Sequence, residues 1–169
     1  RTITQLALDY LSTKSPGDSQ PFFLWLHYMS PHRPYVPPEP WERGLDNSNQ
    51  RSAWFYEKQL NDYMADKEDL SDGRLAEINN YYDGCVAFTD SLIGQVLSLL
   101  DSRGLTEKTL IVFTADHGEE LYEMYHYFMH QVTIYHRALH IPLILKWNGR
   151  LPGKVRVSEQ VGLVNLMPT

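Results

Sequence analysis

Two residues stand side by side where metal chemistry could begin. Asp116 and His117 follow the run Leu110-Ile111-Val112-Phe113-Thr114 and precede Gly118-Glu119-Glu120. A hard divalent cation takes carboxylate oxygen and tolerates imidazole beside it. Gly118 lets the backbone bend, so both side chains can face one point. The plainer alternative has Asp116 capping a following helix and His117 lying at the surface. Other imidazoles come earlier and later: His27, His32 within Pro31-His32-Arg33-Pro34-Tyr35, and His130 within Phe128-Met129-His130. His32 is read either as a ligand-competent residue beyond a strand's exit or as a loop residue in a Pro-rich turn. His130 competes with simple packing among Tyr125, His126, Tyr127 and Phe128. His126, His136 and His140 are taken as structural or exposed. Arg33 could hold an anion or stay solvated. The single cysteine, Cys85, lies on the apolar stripe of a helix and is read as a core residue.

The elements that must carry these residues follow from periodicity. Ile3, Leu6, Ala7, Tyr10 and Leu11 recur at helical spacing, and Ser15-Pro16-Gly17-Asp18 is a turn signal. Phe22-Phe23-Leu24-Trp25-Leu26 reads as a strand covered on both faces, as in a parallel sheet. From about Ser30 to Gly73 the pattern dissolves into a long irregular loop, with five prolines between Pro31 and Pro40 and a possible short helix over Trp54–Met64. Trp41, Trp54, Phe55 and Tyr56 of that loop could line a substrate entrance or pack beneath it. A long helix is expected from about Leu75 to Arg103, striped by Ile78, Tyr82, Cys85, Thr89, Leu92, Ile93, Val96 and Leu100, with Gly104 as a left-handed cap. Thr109–Thr114 and His140–Lys146 read as buried strands, and Val161–Val164 as a short one. The alternation predicts an α/β fold, a mostly parallel β-sheet flanked by helices. In such sheets ligands bind beyond the carboxyl ends of strands, where His27, His32, Asp116 and His117 fall.

Composition excludes several classes. The 169 residues are 43% hydrophobic and 21% charged, an ordinary globular balance. Fifteen basic against 21 acidic residues give a formal charge of −6, and no Lys/Arg run suggests nucleic-acid binding. The uninterrupted apolar stretches are too short to predict a membrane span. One cysteine leaves no internal disulfide and no Cys-rich metal knuckle. Nothing in the sequence specifies an oligomeric state. The chain starts inside a helical pattern without an initiator Met or signal-peptide pattern, and it stops at Met167-Pro168-Thr169; the expectation is a fragment.

LIVFTADHGEEL resembles the metal-binding segment of sulfatases, in the alkaline phosphatase superfamily. PFFLWLHYMSPHRPYVPPEPW, YYDGCVAFTDSLIGQVLSLLDSRGL, YFMHQVTIYHRALHIPLIL and VGLVNLMPT are similar to other stretches of that family, in its order and over nearly the whole chain. The resemblance implies a single partial sulfatase-like catalytic domain, alkaline-phosphatase-like, covering residues 1–169. It implies a divalent cation, calcium in most members, on Asp116 and His117. It also implies that His32 and His130 address the sulfate or its leaving oxygen. The family's nucleophile is a formylglycine within a Cys/Ser-x-Pro-x-Arg motif, which this sequence lacks, as it lacks the family's earlier Asp-Asp metal pair. Both are therefore expected outside the segment, and the fragment alone is expected to be inactive. Asn165 stands where Asp is common, Gln131 where Gly or Lys is, His136 where Glu is, and Ser30 where many relatives have Asp. The implied substrate is a small-molecule or glycan sulfate ester, and the implied location is extracytoplasmic. Phosphodiesterases and phosphoglycerol transferases of the superfamily share the Asp-His pair and form the alternative. A non-catalytic binding module on the same fold is the second alternative.

Overall fold

The computed structural model describes residues 1–41, 70–123, 128–130 and 134–167. Helix α1, Ile3–Ser12, starts where the Thr2 hydroxyl accepts the Gln5 N–H at 3.2 Å, and it buries Thr4, Ala7 and Leu11 at helical spacing. Helix α2, Asp72–Ser102, starts at Ser71, whose hydroxyl accepts the Arg74 N–H. Its buried positions are Ile78, Gly84, Cys85, Thr89, Val96 and Leu100, most of the expected stripe. Gly104 closes it in the left-handed region at φ 66°.

The long helix joins two cores. At its C-terminal end Val96, Leu100 and Leu105 pack with Ala7 and Leu11 of α1, and Phe22, Leu24, Leu26 and Ile111 lean against them. A fully buried side chain such as Leu11 contributes about 1.5–3 kcal/mol through removal from water. Toward its N-terminal end Ile78 and Cys85 pack with Tyr35, Leu70 and Phe128. Burial pushes the Cys85 thiol above its ordinary pKa, in keeping with a core residue. By length and composition α2 could cross a membrane, its most apolar window having a mean hydropathy of 1.2, but its stripe makes the contacts of a core helix.

Strand β1, Ile111–Thr114, pairs with β4, Leu143–Lys146, in antiparallel register from Ile111↔Lys146 to Thr114↔Leu143. Strands β2, Glu120–Leu121, and β3, Phe128–Met129, form a second antiparallel pair. A short helix α3, His136–Leu139, precedes β4. The alternation of helices and strands is therefore present, but both described ladders are antiparallel, which corrects the expected parallel pairing. The physical reason is a return rather than a crossover: β4 begins beside β1's exit, where Thr114 Oγ1 donates to Pro142 O at 2.9 Å.

Two further strands are corrected. Phe22–Leu26 is extended but joins no ladder among the described residues. Its burial alternates: Phe22, Leu24 and Leu26 meet the core, whereas Phe23 and Trp25 are 84% and 71% exposed. An unbroken apolar run predicted cover on both faces, and only one face is covered here. Val161–Val164 is not a strand; a 3-10 turn, Leu163–Asn165, occupies it, closed by Asn165 N–H on Gly162 O at 3.0 Å. The possible helix over Trp54–Met64, together with His126 and Gln131, lies outside the described residues.

Candidate active site

The site is built on three turns. The first follows the extended Phe22–Leu26 segment. Thr89 Oγ1 of α2 donates to Ser30 O at 3.1 Å, holding the start of the Pro-rich loop against the helix. Tyr35 is fully buried, its ring edge-on to Tyr82 at 5.3 Å. Between these two anchors His32 is exposed, and its Nδ1 donates to Arg33 O at 2.6 Å. A cavity of about 270 Å³ opens beside it, lined by Met29, Ser30, His32, Arg33, Cys85 and Phe88 among others.

The second turn leaves β1. Gly118 N–H donates to Ala138 O at 2.8 Å, and a Cβ on Gly118 would overlap the Arg137 carbonyl. Only glycine fits so close an approach. Asp116 Oδ1 accepts the His117 N–H at 3.1 Å, and Asp116 Oδ2 lies 3.7 Å from His117 Nε2. His117 Nδ1 donates to Gly118 O at 2.9 Å, so Nε2 keeps its lone pair. An oxygen and a nitrogen at that spacing can share one cation, each about 2–2.5 Å from it. Asp116 does not cap a helix, because none begins there. The donor pair fits a divalent ion, and it supplies only part of the shell such an ion takes.

The third turn is set by the β2–β3 ladder. Register Glu120↔Met129 makes Glu119 and His130 the next facing pair beyond the strands. His130 Nδ1 sits 2.8 Å from Glu119 Oε2, with side-chain exposures of 14% and 8%. The other oxygen, Oε1, accepts the Tyr35 hydroxyl. Burial first, then the Glu119 charge, pushes the Tyr82 phenol above its ordinary pKa.

The three turns bring His32, His117 and His130 together. The His130 ring stacks on His117 at 3.7 Å and meets His32 edge-on at 5.5 Å. Asp116 is drawn in through His117, with its side chain 67% exposed. His27 is exposed, and His136 and His140 pair with each other at 4.6 Å. Glu119 was missed in the sequence. The available signal was its place beside Gly118, but the facing of Glu119 and His130 rests on strands of two residues each, too short to register as alternation.

The sequence profile of the Sulfatase family matches residues 1–169, and the chain belongs to that family. It is 26% identical to arylsulfatase K of Bos taurus over 98% of this chain and 34% of that protein. It is 27% identical to the multifunctional alkaline phosphatase superfamily protein PehA of Trinickia caryophylli, over 98% of this chain and 36% of that protein. Among solved structures it is similar to the phosphonate monoester hydrolase SpPMH of Silicibacter pomeroyi, with a TM-score of 0.64 and 26% identity over 90% of this chain and 34% of that one. The chain thus spans about a third of the length of the curated relatives it matches.

Proposed function

We propose that the full-length protein hydrolyses a sulfate ester at this site. Asp116 and His117 hold a divalent cation, calcium by resemblance to the family. His32 and His130 address the anion and its leaving oxygen. The observation that carries the reading is the grouping of the rings: His130 lies between His117 and His32, and each ring has its Nδ1 on an acceptor. That leaves Nε2 of each available to a ligand.

In a sulfate ester, negative charge moves to the bridging oxygen as the bond breaks. A bound cation would supply electrostatic stabilisation of that charge. His32 and His130 orient the anion, and a protonated ring nitrogen can hand its proton to the departing oxygen. The cavity beside His32 gives the leaving group room, and its Met29, Val36 and Phe88 walls suit a carbon-rich group. The nucleophile, a formylglycine by family resemblance, comes from outside these residues, so the 169-residue chain alone is inactive in this reading. Location outside the cytoplasm belongs to the same proposal, by analogy with sulfatases.

The test is hydrolysis of a chromogenic aryl sulfate by the full-length protein, with and without Asp116→Ala. The substitution is expected to abolish divalent-cation binding in calorimetry and to lower kcat/KM by at least about 100-fold. Cation binding that survives Asp116→Ala unchanged overturns the metal assignment. The similarity to a phosphonate monoester hydrolase favours a second reading, phosphoryl chemistry at the same site. A phosphonate monoester or phosphodiester turned over faster than the aryl sulfate would establish it instead.

A further inference from the structure

Among the described residues of the site, Glu119 is the one carboxylate whose two oxygens both meet other side chains. Oε2 takes His130 Nδ1 at 2.8 Å, and Oε1 takes the hydroxyl of Tyr35, which stands three residues beyond His32. With its side chain 8% exposed, Glu119 is screened from bulk water, so these charge-assisted bonds are stronger than they would be at the surface. His117, Glu119 and His130 also offer ligand atoms within 4.8 Å of one another, which makes a cation between them the rival arrangement. A cation bound through His130 Nδ1 would have to displace the proton which that nitrogen donates to Glu119.

We propose that Glu119 is the positioning residue of this site: it fixes His130 in the Nδ1–H tautomer and, through Tyr35, ties the His32 loop to the turn that carries Asp116 and His117. A carboxylate that accepts from one ring nitrogen settles which nitrogen carries the proton and how the ring is turned. His130 Nε2 is then the nitrogen at which the ring takes up and hands on a further proton, and the bonds to Gly118 O and Arg33 O turn His117 and His32 the same way. Backbone carbonyls set two of the rings; the third needs a side chain, because His130 lies beyond the end of β3 and faces Glu119 across the ladder. The kinetic part of this inference rests on the proposed ester hydrolysis, and the tautomer part does not.

The experiment uses the full-length protein with 15N-labelled histidine. Long-range proton–nitrogen spectra at about pH 8, where an ordinary imidazole is neutral, show which ring nitrogen is protonated. His130, assigned by the signals lost in His130→Gln, is expected as Nδ1–H in the wild type and predominantly as Nε2–H in Glu119→Ala. Glu119→Gln keeps the shape with a weaker, uncharged acceptor, in case alanine does not fold. It is expected to lower kcat about 10–100-fold with KM little changed and divalent-cation binding retained. Nε2–H in the wild type, or Nδ1–H persisting in Glu119→Ala, overturns the proposal. Cation binding lost in Glu119→Gln as in Asp116→Ala also overturns it, by making Glu119 a ligand. If the wild type cleaves no ester, the hydrolase reading fails while the spectra still decide the role of Glu119.

Discussion

Two neighbouring glutamates of this chain live under opposite conditions. Glu119 has both oxygens engaged, whereas Glu120 is 1% exposed and its carboxylate oxygens have no hydrogen-bond partner among the described residues. Burial, with the charge of Glu123 next, raises the Glu120 pKa, and Arg137 only partly offsets this. The folded state therefore holds the Glu120 proton more tightly than the unfolded chain does. Stability from this group is full below the ordinary carboxylate range, near pH 4.3, and is lost as pH rises through the raised folded value. Glu120→Gln is expected to raise the thermal midpoint at about pH 7 and to change it much less at about pH 4. Equal gains at both pH values in melting curves would show that the buried charge is not the cause. Residue types made Asp116, His117 and His32 readable as candidates, because donor chemistry is written in the letters, whereas His130 came from the resemblance to sulfatases. The hydrogen-bonded partner that sets a ring was not readable, because it depends on which turn lies opposite.

The elements were legible in proportion to their length. Helices α1 and α2 carry a stripe that repeats over several turns, and their bounds fall within a few residues of the periodic pattern. Strand direction was not legible. Thr109–Thr114 and His140–Lys146 were recognisable as apolar runs, but a run of letters is the same whichever way its neighbour travels. The close approach of Gly118 to the Arg137–Ala138 backbone couples the exit of β1 to α3 and the entry of β4. Gly118→Ala must force these backbones apart. It is expected to lower stability by about 1–3 kcal/mol in denaturant titration and to weaken cation binding at Asp116–His117. An alanine variant with wild-type stability and binding would mean that the turn tolerates the shift and does not set the pair's geometry.

At the scale of the molecule, much apolar surface stays outside: adjacent residues of β1 and of β4, which point to opposite faces of the ladder, are both exposed. Phe23 and Trp25 on the extended segment, Val112 and Phe113 on β1, and Ile144 on β4 are all substantially exposed. Single exposed apolar residues are ordinary, but this many along one extended segment and the β1–β4 ladder mark a surface that water does not favour. The 169-residue chain produced by itself is expected to self-associate and to bind a dye that reports apolar surface. Sedimentation should show mass rising with concentration, and Phe23→Ser with Trp25→Ser should reduce it. A monodisperse monomer with no dye uptake would contradict that.

The three turns that meet at His130 come from positions as distant as His32 and Asp116, so no stretch of sequence carries the constellation locally. An unfolded chain has Asp116 and His117 but scatters the rest. A cation held as proposed needs the turn that Gly118 closes against the Arg137–Ala138 backbone, so its uptake would count only molecules that have already found their native shape. At a free ion level 100 times the dissociation constant, mass action would add about 2.7 kcal/mol to the folding equilibrium. The mineral supply around the protein would then act as a thermostat on its lifetime.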